Sequence, residues 1–115
     1  MKKTDNIFIA GHKGLVGSAV VRLLKKEGFK KLITIEKKKL DLRNSDKVKF
    51  FFKRKKIDYM IIAAAKAGGI IANSNNQKDF FLNNIEIQNS LLKLALDKKI
   101  KRTIFLGTSC IYPKY

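Results

Sequence analysis

Three glycines, Gly11, Gly14 and Gly17, stand three residues apart directly after the short apolar run Ile7, Phe8, Ile9, Ala10. An apolar run of this length that stops at a glycine predicts a strand buried on both faces. From there Leu15, Val16, Ala19, Val20, Leu23 and Leu24 recur at helical spacing, and Gly28 can supply the left-handed cap that ends the helix. The spacing G-x-x-G-x-x-G therefore sits in a strand, tight turn, helix context. Gly11 permits the sharp turn, Gly14 lets the backbone approach a pyrophosphate, and Gly17 lets helix and strand come close. The helix N-terminus then offers its N–H groups to the anion. His12, Lys13, Leu15 and Val16 lie between the glycines and complete this candidate cofactor segment, although His12 by itself reads as a polar turn residue.

The same alternation of periods continues along the chain. Residues 32–35 predict a second strand with Glu36 at its end, and Asn44 or Ser45 can cap a second helix carrying Val48, Phe51 and Phe52. Residues 58–65 predict a third strand and residues 66–76 a polar, glycine-containing loop. A long helix then runs to about Lys98, with Phe80, Phe81, Ile85, Ile87, Leu91, Leu92, Leu94 and Ala95 as its apolar positions. Residues 102–106 predict the fourth strand. Four strands alternating with three helices, without a hairpin turn, predict an α/β fold, a doubly wound parallel sheet with right-handed crossovers. Nothing helical follows the fourth strand, so part of its apolar surface is expected to face solvent.

Length and composition narrow the function classes. A chain of 115 residues makes one domain at most, and it has neither an internal repeat nor a low-complexity linker. Its 45% hydrophobic and 30% charged residues exclude a disordered tail. No stretch approaches the roughly 18 uncharged apolar residues of a membrane span, and the apolar run near the start is too short for a secretory signal. The formal net charge of +17 would attract polyanions. However, 22 of the 26 cations are lysine, whereas base reading leans on arginine forks. The lysines also fall where helix faces and turns place them in water, which predicts a solvated basic surface and no specific nucleic-acid partner. The lone Cys110 cannot form an internal disulfide, which suits a reducing, cytoplasmic location.

Cofactor choice rests on the segment after the second strand. Glu36 lies 19 residues after Gly17, where an acidic side chain commonly binds the ribose diol of NAD. Against it stand Lys37, Lys38 and Lys39, with Lys13 inside the glycine turn, which together could hold a 2′-phosphate; the balance favours NADP. A solvated loop accounts for the lysine triplet equally well. Asp41 can accept from an adenine amine while Leu42 packs on the ring, or Asp41 can stabilise the turn before the second helix. Ala63, Ala64 and Ala65 end the third strand with side chains small enough for a ribose and pyrophosphate to lie against the backbone, or for tight helix packing. At the end of the fourth strand, Leu106, Gly107, Thr108, Ser109 and Cys110 place two hydroxyls and a thiol beside the switch point where such sheets bind ligands. A hydroxyl there could stabilise a carbonyl oxygen as it becomes an alcoholate, and a thiol of lowered pKa could exchange a proton at carbon. By itself Cys110 is more often a small buried hydrophobe.

Three segments carry a more specific signal: Ile9-Ala-Gly-His-Lys-Gly-Leu-Val-Gly-Ser18, Ala63-Ala-Ala-Lys-Ala-Gly-Gly-Ile70 and Phe105-Leu-Gly-Thr-Ser-Cys-Ile-Tyr-Pro-Lys114. In order and spacing they resemble the opening part of an extended short-chain dehydrogenase/reductase, in the branch that acts on GDP-linked 4-keto-6-deoxy sugars. The resemblance implies a Rossmann-like NADP-binding domain in an enzyme that is homodimeric when full length and uses no metal. That enzyme epimerises GDP-4-keto-6-deoxymannose at two carbons and reduces the ketone with NADPH. It further implies that Gly11 to Gly17, Lys37 to Leu42 and Leu106 to Ser109 contact the cofactor, that Thr108 is the catalytic hydroxyl and that Cys110 takes part in epimerisation.

The chain departs from that pattern in two ways. Thr108 replaces the family's usual serine, keeping the hydroxyl and adding a methyl. The family's Tyr-x-x-x-Lys pair, its epimerisation histidine and its substrate lobe are expected beyond residue 115, and neither Tyr112 nor Tyr115 has a lysine four residues later. Residues 1–115 are thus expected to be the N-terminal part of the cofactor domain, inactive alone for want of the general acid. Another NAD(P)-dependent nucleotide-sugar epimerase or dehydratase, or a nucleotide-binding module without catalysis, are the alternatives.

Overall fold

All four residues of the first strand, β1 (Ile7–Ala10), are buried, which requires cover on both faces of the sheet. In a computed structural model, which describes residues 1–63 and 70–106 and the side chains of all of these but 70–81, that cover is helical. After β1 come α1 (Leu15–Lys26), β2 (Leu32–Ile33), α2 (Ser45–Phe51), β3 (Tyr59–Ile62), α3 (Ile70–Lys98) and β4 (Arg102–Phe105). The strands are parallel throughout in the order β2-β1-β3-β4. The chain thus leaves β1 toward one side for β2 and returns to its other side for β3, the topology expected from the alternating pattern.

Strand alternation divides the core in two. Phe8, Ala10, Met60 and Ile62 point to the face covered by α2 and α3, where Val48, Phe52, Leu91 and Leu94 meet them. Ile7, Ile9 and Ile61 point to the opposite face, with Leu24 of α1 and Phe29. Val20 and Val21 support this second layer, but Leu15, Val16 and Leu23, which the helical period groups with them, are largely exposed. The period identifies the helix correctly; its apolar stripe is simply wider than the strip of sheet it covers.

Capping follows local chemistry. The Asn44 side chain accepts from the backbone N–H of Lys47 at 3.1 Å, the cap expected for α2. At the end of α1, Gly28 takes φ +94°, and the N–H of Phe29 donates to the Leu24 carbonyl at 3.0 Å. Three expected boundaries move. The third strand, expected over 58–65, ends at Ile62, before Ala63. The second strand stops at Ile33 because the Glu36 carbonyl accepts from the N–H groups of both Lys39 and Leu40, folding 36–40 into a turn. Helix α3 begins at Ile70, inside the stretch 66–76 expected to be loop. No glycine or proline follows Gly69 until Gly107. Asparagine and serine cost a helix only about 0.5 kcal/mol each, so their polarity does not prevent it.

Among the described side chains the lysines are exposed as expected, with one exception. Lys98, at the end of α3, donates to the Lys53 and Lys55 carbonyls at 3.1 and 2.8 Å and so ties α3 to the turn after α2. Among the described residues β4 is an outer strand, and its Ile104 and Phe105 are partly open to solvent.

At the end of the sheet opposite the glycine turn lies a carboxylate that pattern reading passes over. Asp58 is 5% exposed and accepts from the Asn6 N–H at 2.8 Å, while its own carbonyl accepts from the N–H of Lys101. It therefore joins the entrances of β1, β3 and β4. The Asn6 N–H, and then the charges of Lys56 and Lys101, hold its pKa below the ordinary 3.8, against the opposing effect of burial. Asp58→Ala should cost about 2 kcal/mol at neutral pH, since it leaves the Asn6 amide without its acceptor. The wild-type carboxylate contributes its stability above the ordinary value and loses it as pH falls through the lowered one, so the gap between variant and wild type in urea denaturation should close in acid.

Candidate functional site

At the carboxyl end of β1 the chain turns sharply. Gly11 takes φ +86°, and its carbonyl accepts from the Gly14 N–H at 3.2 Å. The helix comes so close behind that a Cβ on Gly17 would lie 1.8 Å from the Gly11 oxygen. The predicted close approach is thus between helix and turn, at the point where β1 ends. A Cβ on Gly14, by contrast, would meet only the Gly11 oxygen, at 3.5 Å. Gly14 caps α1 in an extended conformation without a side-chain hydrogen bond, and the first turn contains no acidic residue. The N–H groups of that turn have no intrahelical acceptor, so bare backbone donors open onto an accessible surface flanked by the exposed Leu15 and Val16. Such a cradle fits a diphosphate.

Neighbouring strand ends border the turn. The Ala63 N–H donates to the Ala10 carbonyl at 2.8 Å, and the Leu106 N–H to the Ile62 carbonyl at 3.0 Å. The ends of β1, β3 and β4 therefore line one edge at the topological switch between β1 and β3, the place where open α/β sheets bind ligands. Ala64, Ala65, Gly107, Thr108, Ser109 and Cys110 lie outside the described residues.

On the other side, Lys13 Nζ is 3.0 Å from Glu36 Oε1. The glycine turn and the segment after β2 are thereby linked by the two groups that sequence reading sets in opposition over cofactor choice. The Lys13 ammonium holds the Glu36 pKa below the usual carboxylate value, helped by the charge of Lys39. Lys37, Lys38 and Lys39 are exposed on the turn closed by the Glu36 carbonyl, and the buried Leu40 anchors it.

Asp41 is engaged with Arg43 in the turn before α2. Its carboxylate accepts from the Arg43 N–H at 3.0 Å and from the guanidinium at 2.8 to 3.2 Å, which lowers its pKa to about 2. Arg43 also donates to the Asn83 side chain at 2.8 Å and so connects this turn with α3. Sequence reading misses Arg43; the signal was the Asp-x-Arg spacing, which allows a carboxylate to engage both backbone and side chain two residues on. Leu42 packs partly against the core. A separate surface hollow of about 530 Å³ lies over Leu40, Phe50 and Phe51, on α2 and not at the glycine turn.

Among the described residues no cluster of side chains could hold a metal ion, and no helix is long and apolar enough to cross a membrane.

Known proteins resemble the chain along almost its whole length. The profile of the NAD-dependent epimerase/dehydratase family matches residues 7–115. GDP-L-fucose synthase 1 of Arabidopsis thaliana is 46% identical over 98% of the chain, and GDP-L-fucose synthase of Escherichia coli K12 is 42% identical over 96%. The GDP-mannoheptose C4 reductase of Campylobacter jejuni, solved with NADP bound, is similar in structure with a TM-score of 0.91 and 36% identity over 98% of the chain. The chain spans about a third of the length of each: 35%, 34% and 33% respectively.

Proposed function

Because the chain belongs to the NAD-dependent epimerase/dehydratase family, we propose that it forms the cofactor-binding part of an NADPH-dependent enzyme. The enzyme would convert GDP-4-keto-6-deoxymannose to GDP-L-fucose by epimerising C3 and C5 and reducing C4. The observation that carries the cofactor reading is the Gly11 turn packed against Gly17 at the switch point of the sheet. The two fucose synthases among its relatives support the substrate.

In this reading the backbone from Gly11 to Gly17 holds the diphosphate, Lys13 and Lys37 face the 2′-phosphate, and Asp41 and Leu42 border the adenine. Ala63, Ala64 and Ala65, with Leu106, Gly107 and Ser109, line the ribose and nicotinamide side. NADPH supplies the hydride when bound. The Thr108 hydroxyl donates to the ketone oxygen as it gains negative charge. The Cys110 thiol exchanges a proton at the carbon next to the carbonyl during epimerisation. The enzyme works as a homodimer in the cytoplasm.

The intact protein is expected to bind NADPH and to consume it with GDP-4-keto-6-deoxymannose, giving GDP-L-fucose by product analysis, and to leave UDP-linked keto sugars unchanged. Tight NADPH binding without turnover of any keto sugar nucleotide would sink the enzyme reading. A second reading, reduction of a GDP-linked keto-heptose, is favoured by the high structural similarity to the Campylobacter reductase. The same assay with a heptose substrate separates the two.

A further inference from the structure

The Lys13–Glu36 pair brings together two groups with opposite preferences for the same part of a cofactor. A carboxylate after the second strand hydrogen-bonds the 2′- and 3′-hydroxyls of an unphosphorylated adenosine ribose, and it repels a 2′-phosphate. An ammonium does the reverse. Here the two lie 3.0 Å apart, so each occupies the other. Neither is buried: the side chains are 69% and 43% exposed, and a ligand can reach both.

We propose that Glu36 is a specificity-determining residue that acts through Lys13, competing with a 2′-phosphate for its ammonium and so narrowing the preference of the protein for NADPH over NADH. The proposal rests on the reading of the glycine turn as a dinucleotide site. For NADPH to gain the full benefit of Lys13, the ion pair must open, and the released carboxylate then remains beside the incoming phosphate. For NADH no such exchange is needed, because Glu36 can accept from the ribose while one of its oxygens stays with Lys13. Lys39 also bears on Glu36 electrostatically and keeps that region positive enough for a phosphate to approach.

The test is direct binding, read from the nicotinamide fluorescence of NADPH and NADH titrated separately with the intact protein, without any sugar substrate. Glu36→Gln removes the negative charge and keeps the shape. The ratio of NADH to NADPH dissociation constants should rise about fivefold to tenfold in this variant, the size of a unit-charge interaction of roughly 1 kcal/mol near water. The rise should shrink with added salt. If Glu36 acts through Lys13, the same substitution in a Lys13→Gln background should change the ratio much less. A ratio unchanged by Glu36→Gln, with NADPH still bound, overturns this inference and leaves the proposed function standing. An equal rise in the Lys13→Gln background overturns the action through Lys13. If the wild-type protein binds neither nucleotide, the dinucleotide site and this inference both fall. The Glu36 carboxylate pairs with an exposed side chain, so circular dichroism of each variant should match wild type.

Discussion

Replacing Gly17 by alanine should lower stability by about 3 kcal/mol, the upper end for forcing one extra carbon into a close-packed site. Helix propensity alone predicts the opposite, a gain of about 1 kcal/mol from removing a glycine inside α1. The geometry decides between them. The new Cβ would stand 1.8 Å from the Gly11 oxygen, 2.7 Å from the Gly11 carbonyl carbon and 3.2 Å from the His12 Cα. All three are backbone atoms, so no rotamer change relieves the overlap; either the turn opens or the helix withdraws from the sheet. Gly14→Ala is the control, since its Cβ meets a single atom at an ordinary 3.5 Å, and it should cost less than about 1 kcal/mol. Urea midpoints of the two variants should therefore diverge widely. Midpoints that fall together would mean that the turn is far softer than its contacts indicate.

Phe52→Ala should cost about 4 kcal/mol, within the range for removing a buried aromatic side chain. Phe52 is fully buried and follows the last residue of α2. Its ring centroid is 4.6 Å from that of Phe8 in β1 and 4.9 Å from that of Phe51. It is thus a principal contact between the short second helix and β1, and a loss of this size is a large part of the 5 to 15 kcal/mol typical of a whole domain, roughly a quarter or more. Phe50, two residues earlier and 79% exposed, supplies the comparison: Phe50→Ala should stay within about 0.5 kcal/mol of wild type. A similar loss for both would mean that α2 is held by its general apolar character and not by this one contact.

What could be read in advance divides along physical lines. Strands β1 and β3 were legible because a parallel strand with helices on both faces needs an unbroken apolar run, and Ile7 to Ala10 and Met60 to Ile62 supply it. The glycine turn was legible because positive φ at Gly11 and the closeness at Gly17 both demand the absence of a side chain. The start of α3 was not, since Asn73, Ser74, Asn75 and Asn76 favour loops in isolation and carry no apolar period to outweigh it. The Lys13–Glu36 and Arg43–Asn83 contacts join residues 23 and 40 positions apart; nothing local encodes them, and they appear only once the sheet has placed the turns side by side. Asp58 was passed over because a polar residue before a strand looks like an ordinary boundary until the neighbouring strands converge on it.

The strand order also bears on how a nascent chain acquires this sheet. The first strand synthesised, β1, takes an inner position, and each later strand finds a neighbour already present: β2 on one side, β3 on the other, then β4 against β3. Assembly in order of synthesis therefore leaves no gap to be filled by late insertion. The edge on the β2 side is two residues long, too short a template to recruit a foreign strand. Among the described strands, the longer open margin is that of β4, so the danger of wrong pairing while these four are made lies mainly on that side.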